Sequence, residues 1–259
     1  MKNNKYKILV LSDLTKAAKS TLKNSVGLAK MIDGQVDFFY VKKPTEIVEK
    51  ENQLSAIRTI NEKYNKTGKE IENLIKPISQ GANITINYKY SFGNIKSEID
   101  NYILKNNPDI IVLGKRKPKL VNFLGDNITQ HILNNHKAIV MIADDKNGLD
   151  SNKELSLGFL NEINSQKKIQ EDLINHTNKP LTCFKVTNKS ETLEETKISN
   201  PKKPIEYVFD NDGNTLNKIS KYLVKSNVNL LFVDREKNNQ NSKTQNIINN
   251  VNCSLILSN

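Results

Sequence analysis

The chain has no tryptophan, only two cysteines, and little glycine (10) or proline (7) for its 259 residues. With so few cysteines a disulfide scaffold is excluded, and Cys183 and Cys253 lie inside the apolar runs PLTCFKV and NCSLIL with no CxxC partner. Each reads as a small buried hydrophobe rather than a redox or metal group. The three histidines, His131, His136 and His176, show no ligand spacing with one another or with nearby carboxylates, so the reading expects no metal. No apolar run is long enough to span a membrane, and Ile8–Leu11 is cut off by Ser12 and Asp13, so it is no signal peptide. The expectation is a soluble, cytoplasmic protein without membrane partners.

Arginine is also scarce. Only Arg58, Arg116 and Arg235 occur, so lysine supplies nearly all of the +11 net charge. Asn makes up about one residue in seven, and a chain rich in Lys, Asn and Ile together points to an AT-rich genome before it points to a polyanion partner. A nucleic-acid partner is therefore not expected. Up to Asn147 the balance is 24 minus 15, or +9, and beyond it 15 minus 13, or +2, so the basic excess belongs to the first half.

What is present is alternation. KILVLS (7–12) is a continuous apolar run of the kind that forms a buried parallel strand. A helix follows with Ala18, Leu22, Val26, Ala29 and Ile32 at helical spacing, Thr15 or Asp13 as its cap, and Gly34 past its end. VDFFYV (36–41) is the second strand. Pro44 opens a long helical stretch to about Ser79, weakened by Gly68 in its middle. Ile84, Ile86, Tyr88 and Tyr90 alternate as an edge strand, and a helix from about Ile95 leads into the buried strand DIIVLG (109–114). The basic loop KRKPK (115–119), a helix from about Asp126 to Asn135, and the strand AIVMIA (138–143) complete a βαβαβαβαβ order, which implies a mostly parallel, doubly wound sheet.

After a polar linker (144–152) the pattern repeats. A shift of 120 residues aligns 92–114 with 212–234 without a gap, matching Gly93, Asn94, Ile99, Tyr102, Lys105 and Asn107 to Gly213, Asn214, Ile219, Tyr222, Lys225 and Asn227. ILNNHKAIVMI (132–142) then matches IINNVNCSLIL (247–257). The chain is a tandem duplication, with boundaries expected at 1–147 and 148–259. In the second copy the long helix shrinks to a polar segment, about Asn188 to Lys203.

In such sheets ligands bind beyond the carboxyl ends of the strands at the switch point, which directs attention to Asp13, Val41 and the loop after Gly114. An Asp there can accept bonds from a ribose or adenine; it is also a common helix N-cap, and both roles stay open for Asp13. Lys115, Arg116, Lys117 and Lys119 can hold an anion, contact nucleic acid, or form a solvated loop. DNDGN (210–214) has its glycine too early for a calcium loop, and Lys221 stands where a bidentate Glu is required. No Ser-His-Asp, Cys-His or carboxylate pair can be assembled, so no enzyme activity is expected.

The ILVLSDLT start, the GN-I-x-x-x-I stretch, PDIIVLG and the closing helix and strand resemble the universal stress protein family in its tandem two-domain form. The resemblance implies two doubly wound, mostly parallel five-stranded domains of the adenine nucleotide alpha hydrolase-like kind, the second degenerate. It implies a nucleotide site formed by Asp13, the backbone at Val41, and a loop of the form G-x-x-G, nine residues, then G and Ser or Thr. Gly114 fits, but Lys117 replaces the second glycine, Gly125 falls two residues early, and Asn127-Ile128 stands at the Gly-Ser/Thr pair. The degraded site thus comprises Asp13, Val41, Gly114, Lys115, Lys117 and Gly125. Any ATP is held weakly, because a Cβ at such positions keeps the backbone off the phosphate. In the second copy Leu160 replaces Asp13 and Asp234 replaces Gly114.

The expected function is a non-catalytic stress or signalling module, the alternative an ATP-binding, slowly hydrolysing switch using the first domain. In this family terminal strand edges pair across a dimer, so strands 138–143 and 252–257 are expected to pair within the chain. The long helix either covers its own sheet, covers the interdomain groove, or joins a homodimer, and Leu54, Ile57 and Ile60 are its test residues. The protein partner is not legible.

Overall fold

The computed structural model describes residues 5–43, 53–115, 128–149, 153–161, 163, 168–187, 204–235 and 241–258, with the backbone alone over 53–60 and 241–243. The first half runs β1 (Tyr6–Leu11), α1 (Ala18–Ile32), β2 (Gly34–Lys42), α2 (Gln53–Ala82), β3 (Ile86–Phe92), α3 (Ile95–Asn106), β4 (Ile110–Gly114), α4 (Ile128–Asn135) and β5 (Ile139–Ala143). The second runs β6 (Leu157–Leu160), α5 (Lys168–His176), β7 (Thr182–Thr187), β8 (Ile205–Asp210), α6 (Thr215–Lys225), β9 (Leu230–Asp234), α7 (Asn241–Asn250) and β10 (Ser254–Ser258).

All ten strands form one sheet in the order β3-β2-β1-β4-β5-β10-β9-β6-β7-β8. The order of one half is the mirror of the other about the β5–β10 seam. Every pairing within a half is parallel, and the seam alone is antiparallel, with Leu255 opposite Ile142, Ile256 opposite Met141 and Leu257 opposite Val140. The expected pairing of the two terminal strands is what the structure contains. Antiparallel pairing there follows from a twofold relation between the halves, since a twofold axis across a sheet reverses strand direction.

Because side chains alternate along each strand, the sheet splits the apolar residues between two faces. Ile8 and Val10 join one core with Met141, Phe159, Phe232 and Ile256, and Leu9 and Leu11 join the other with Ile142, Leu231, Leu255 and Leu257. Each core crosses the seam, so neither half completes its own.

Several local expectations shift for physical reasons. Neither Asp13 nor Thr15 caps α1. Its N-cap is Ala17, without a side-chain bond, and Asp13 instead accepts from Thr15 N (3.2 Å) and Thr15 Oγ1 (2.8 Å) in a turn in which Leu14 has φ 56°. The left-handed residue that closes α1 is Asp33 (φ 55°), while Gly34 opens β2, where a Cβ would lie 2.6 Å from Ile8 Cδ1. Gly68 does not interrupt α2: a Cβ there would meet the Tyr90 hydroxyl at 2.9 Å, so the glycine makes room for β3. Ile71, Ile75 and Ile78 on α2 are buried in the core that also holds Ile8 and Val10, and the side chains of Leu54, Ile57 and Ile60 lie outside the described residues. The segment 188–203 lies outside them too.

Candidate functional site

The strand order reverses between β1 and β4 in the first half and between β6 and β9 in the second, which places a crevice beyond the carboxyl ends of each pair. In the first half Asp13 stands exposed two residues after β1. Val41, 9% exposed, is the last residue but one of β2 and pairs with Ser91. Gly114 ends β4 opposite Ala143, and a Cβ there would lie 2.5 Å from Thr21 Oγ1, which donates to Ala17 O (3.1 Å). Close approach of α1 to the end of β4 is thus reason enough for a glycine at 114. Arg116, Lys117, Lys119, Gly125, Asp126 and Asn127 lie outside the described residues.

Lys115, one of the candidate anion-site residues, makes contacts of its own across the seam. Its backbone N–H extends the ladder to Ala143 O (2.8 Å), and its ammonium donates to the carbonyl of Val251, after α7 in the other half. Burial pushes the pKa of this half-buried lysine down, against the opposing pull of Asp144, Cys253 and Asp145. Arg235, its equivalent in the second copy, makes the reciprocal contact. Its N–H bonds to Ser258 O (2.8 Å), and its guanidinium donates to the carbonyls of Leu133, in the last turn of α4 in the first half, and of His136 (3.2 Å) and Ala138 (3.2 Å) just after that helix. His136 and Val251 are themselves matched positions of the repeat, so the two cations form crossed clamps related by the twofold.

A buried polar cluster lies at the Lys115 end of the seam. Asn24 of α1 donates to Asp144 O (3.2 Å) and accepts from Leu149 N (2.6 Å) and from Ser254 Oγ of β10 (3.2 Å). Ser254 Oγ in turn accepts from Asp144 N (3.1 Å). Asn24 therefore fixes both the chain leaving β5 and the partner strand. Cys253 beside it is buried, and desolvation pushes its thiol up to about 12, the state of a structural rather than a reactive cysteine. At the other end of the sheet Asp172 of α5 accepts from Lys5 and from the Tyr6 hydroxyl (2.6 Å), tying α5 to β1.

The second crevice is built differently. Leu160 is 6% exposed, and after it Asn161 (φ 72°) donates its N–H to Phe184 O (2.8 Å) and accepts from Val186 N (3.0 Å) through Oδ1. The space between the ends of β6 and β7 is thereby spanned by Asn161, and Asp234 ends β9 opposite Ser258.

Two of the histidines, which show no ligand spacing in sequence, meet on one carboxylate in the fold. Asp100 on α3 receives both His131 of α4 (Nε2 to Oδ1, 2.8 Å) and His136 after it (Nε2 to Oδ1, 2.7 Å). The three residues are 31 and 36 positions apart, so only the packing of α3 beside α4 reveals them. Desolvation acts to raise the Asp100 pKa, but the bonds from His136 and His131 outweigh it and hold the carboxyl below the usual range.

An α/β chain with one mostly parallel sheet, mirrored strand order and a crevice at each switch point defines the class. The universal stress protein family matches residues 6–143, and the chain belongs to that family. The fold is similar over 98% of this chain and 96% of the other to a universal stress protein from Archaeoglobus fulgidus DSM 4304, at 15% identity and a TM-score of 0.71. It is similar over 98% and 92% to a functionally unknown protein from Pseudomonas aeruginosa PAO1, at 9% identity and a TM-score of 0.55. No curated protein matches the chain in sequence. Among the described residues no helix is long and apolar enough to cross a membrane.

Proposed function

We propose that this family member is a non-catalytic stress or signalling module in which two repeats, 1–147 and 148–259, serve as each other's permanent dimerisation partner. Its nucleotide site is reduced in the first repeat and lost in the second. The observation that carries this reading is the engagement of Lys115 with Val251 O across the seam. A cation that satisfies a helix-end carbonyl of the other repeat must be withdrawn from it before it can meet a phosphate, and the sequence supplies too few loop glycines for a backbone cradle in its place. Asp13 is tied to Thr15, and in the second repeat Asp234 would repel phosphate where the first has Gly114.

Calorimetry with ATP, ADP and cyclic nucleotides tests the reading. The expected result is no heat, or an affinity on the order of 0.1 mM or poorer at physiological salt, because lysine charges without a backbone cradle are weakened by salt screening. Micromolar ATP binding that disappears in Asp13→Ala would overturn it in favour of an ATP-dependent switch run by the first repeat.

A further inference from the structure

We propose that Asp100, His131 and His136 form a binding site for a divalent first-row transition ion of the zinc type. One carboxylate oxygen and one ring nitrogen of each histidine all lie within 4.8 Å of one another, and both Nε2 atoms face Asp100 Oδ1, at 2.8 and 2.7 Å. They come from two different helices and the turn after the second, and their side chains are largely withdrawn from solvent, at 16% for His131, 12% for His136 and 33% for Asp100. Two imidazoles and one carboxylate are the donor set that borderline divalent ions take, and three protein ligands leave one tetrahedral position for water or an added ligand.

In the metal-free form each ring presents Nε2 to the same carboxylate oxygen. His131 Nδ1 lies 3.1 Å from Asn135 Nδ2, so it accepts from that amide, and the proton sits on Nε2. Metal binding needs the Nε2 lone pairs. The proton of a neutral ring moves from Nε2 to Nδ1 and no net charge is released; the Asn135 amide, which also donates to His131 O (2.9 Å), then keeps that bond and gives up its contact with Nδ1. Tetrahedral ligands at about 2.0–2.1 Å from zinc stand about 3.3 Å apart, so the carboxylate withdraws about half an ångström from each ring while the two rings, whose ligand atoms lie within 4.8 Å, close on one another.

The site's position gives it a consequence. The carbonyl of His136 is one of the three that Arg235 holds from the other repeat, so the ion would brace α3, α4 and the following turn on the ground where the repeats are clamped together.

Titrating the full chain with zinc chloride alone, after chelator treatment, should reveal one site with an affinity on the order of micromolar. It should also raise Tm, on the order of 5 °C at a hundredfold excess over Kd. Cobalt(II) in its place should give the intense visible bands of a tetrahedral ion. His131→Gln, His136→Gln and Asp100→Asn should each weaken binding about tenfold or more, whereas His176→Gln should leave it unchanged. Unaltered affinity in His131→Gln and His136→Gln overturns the proposal, as does the absence of a stoichiometric site. Should a variant fail to fold, ring-nitrogen NMR of the wild type decides: zinc must move the Nε2 resonances of His131 and His136, and if they stay in place the site does not exist.

Discussion

The two repeats agree where the sheet is framed and differ where a ligand would sit. Asn107 and Asn227 both adopt left-handed φ, 45° and 51°, just after α3 and α6. Ile99 and Ile219 are both buried, and Tyr102 and Tyr222 both lie against rings of the neighbouring strands, Tyr102 on Phe39 at 4.2 Å and Tyr222 on Tyr207 at 5.1 Å. The strand ends diverge at Gly114 against Asp234, whereas the ladders correct the expected match of Leu160 to Asp13: Leu157 lies opposite Leu230 as Ile8 lies opposite Ile110, which sets Leu160 against Leu11 and puts the equivalent of Asp13 at position 162, outside the described residues. Lys115 and Arg235 differ chemically yet do one job, each reaching the helix-end carbonyl of the other repeat. Residues that a duplicated chain retains are thus those that hold helix ends, core and seam, which is the pattern of a scaffold whose repeats need each other more than they need a common ligand.

If the seam is what the repeats share, breaking it should have the largest effect. Ile256 and Met141 face one another across it, both with no exposed surface. Ile256→Ala and Met141→Ala should each cost about 2–5 kcal/mol, measured by urea unfolding, since a cavity there cannot be filled from solvent. Because both cores cross the seam, the loss should appear in one cooperative transition. Two separate transitions in the wild type would mean that the repeats fold independently.

The strand ends offer a sharper and smaller contrast. Gly114→Ala forces Thr21 Oγ1 away from the new Cβ and from its bond to Ala17 O, so it should cost about 1–2 kcal/mol, read from the urea midpoint. Thr21→Ala in the same chain should recover most of that loss. Asp234→Ala at the matched position should change stability by about 0.5 kcal/mol or less. Equal costs at both positions would remove the distinction between the two crevices.

Much of this architecture was legible. Short apolar runs bounded by turns mark β1, β4 and β5, the repeat of 92–114 in 212–234 marks the second half's frame, and the seam follows from the family resemblance. Strand β8 and helix α5 carry no such mark. Only Phe209 of β8 is buried among Ile205–Asp210, so its apolar signal is weak, and α5 is nine residues long with its face carried by Ile169, Leu173 and Ile174. The positions at the switch point follow from strand order, and the sequence places Asp13 and Gly114 there. It could not show that Lys115 crosses the seam, because its acceptor is a backbone carbonyl 136 positions away that carries no residue signature. Asp100 and the two histidines escaped for the same reason: they meet through helix packing, and no local spacing announces them.

The smallest expected effect concerns the far end of the sheet, where Asp172 joins the second repeat to β1. Burial acts to raise its pKa, but the bonds from Lys5 and Tyr6 outweigh burial and leave the carboxyl below the ordinary range. The unfolded chain therefore binds the proton more readily than the folded one, so this contribution is complete above the usual carboxylate pKa and fades as pH falls through the folded value. Asp212 is likewise lowered, by Lys218 and the Asn214 N–H, but it lies on the solvent surface and touches only its own repeat. Asp172→Asn should therefore flatten part of the acid limb of a stability profile recorded from about pH 6 to about pH 2, and Asp212→Asn should flatten it less at high salt, where exposed pairs are screened. Equal, salt-sensitive losses in the two variants would mean that the Lys5–Asp172–Tyr6 contact is no more than a surface pair and that the repeats are held together by the seam alone.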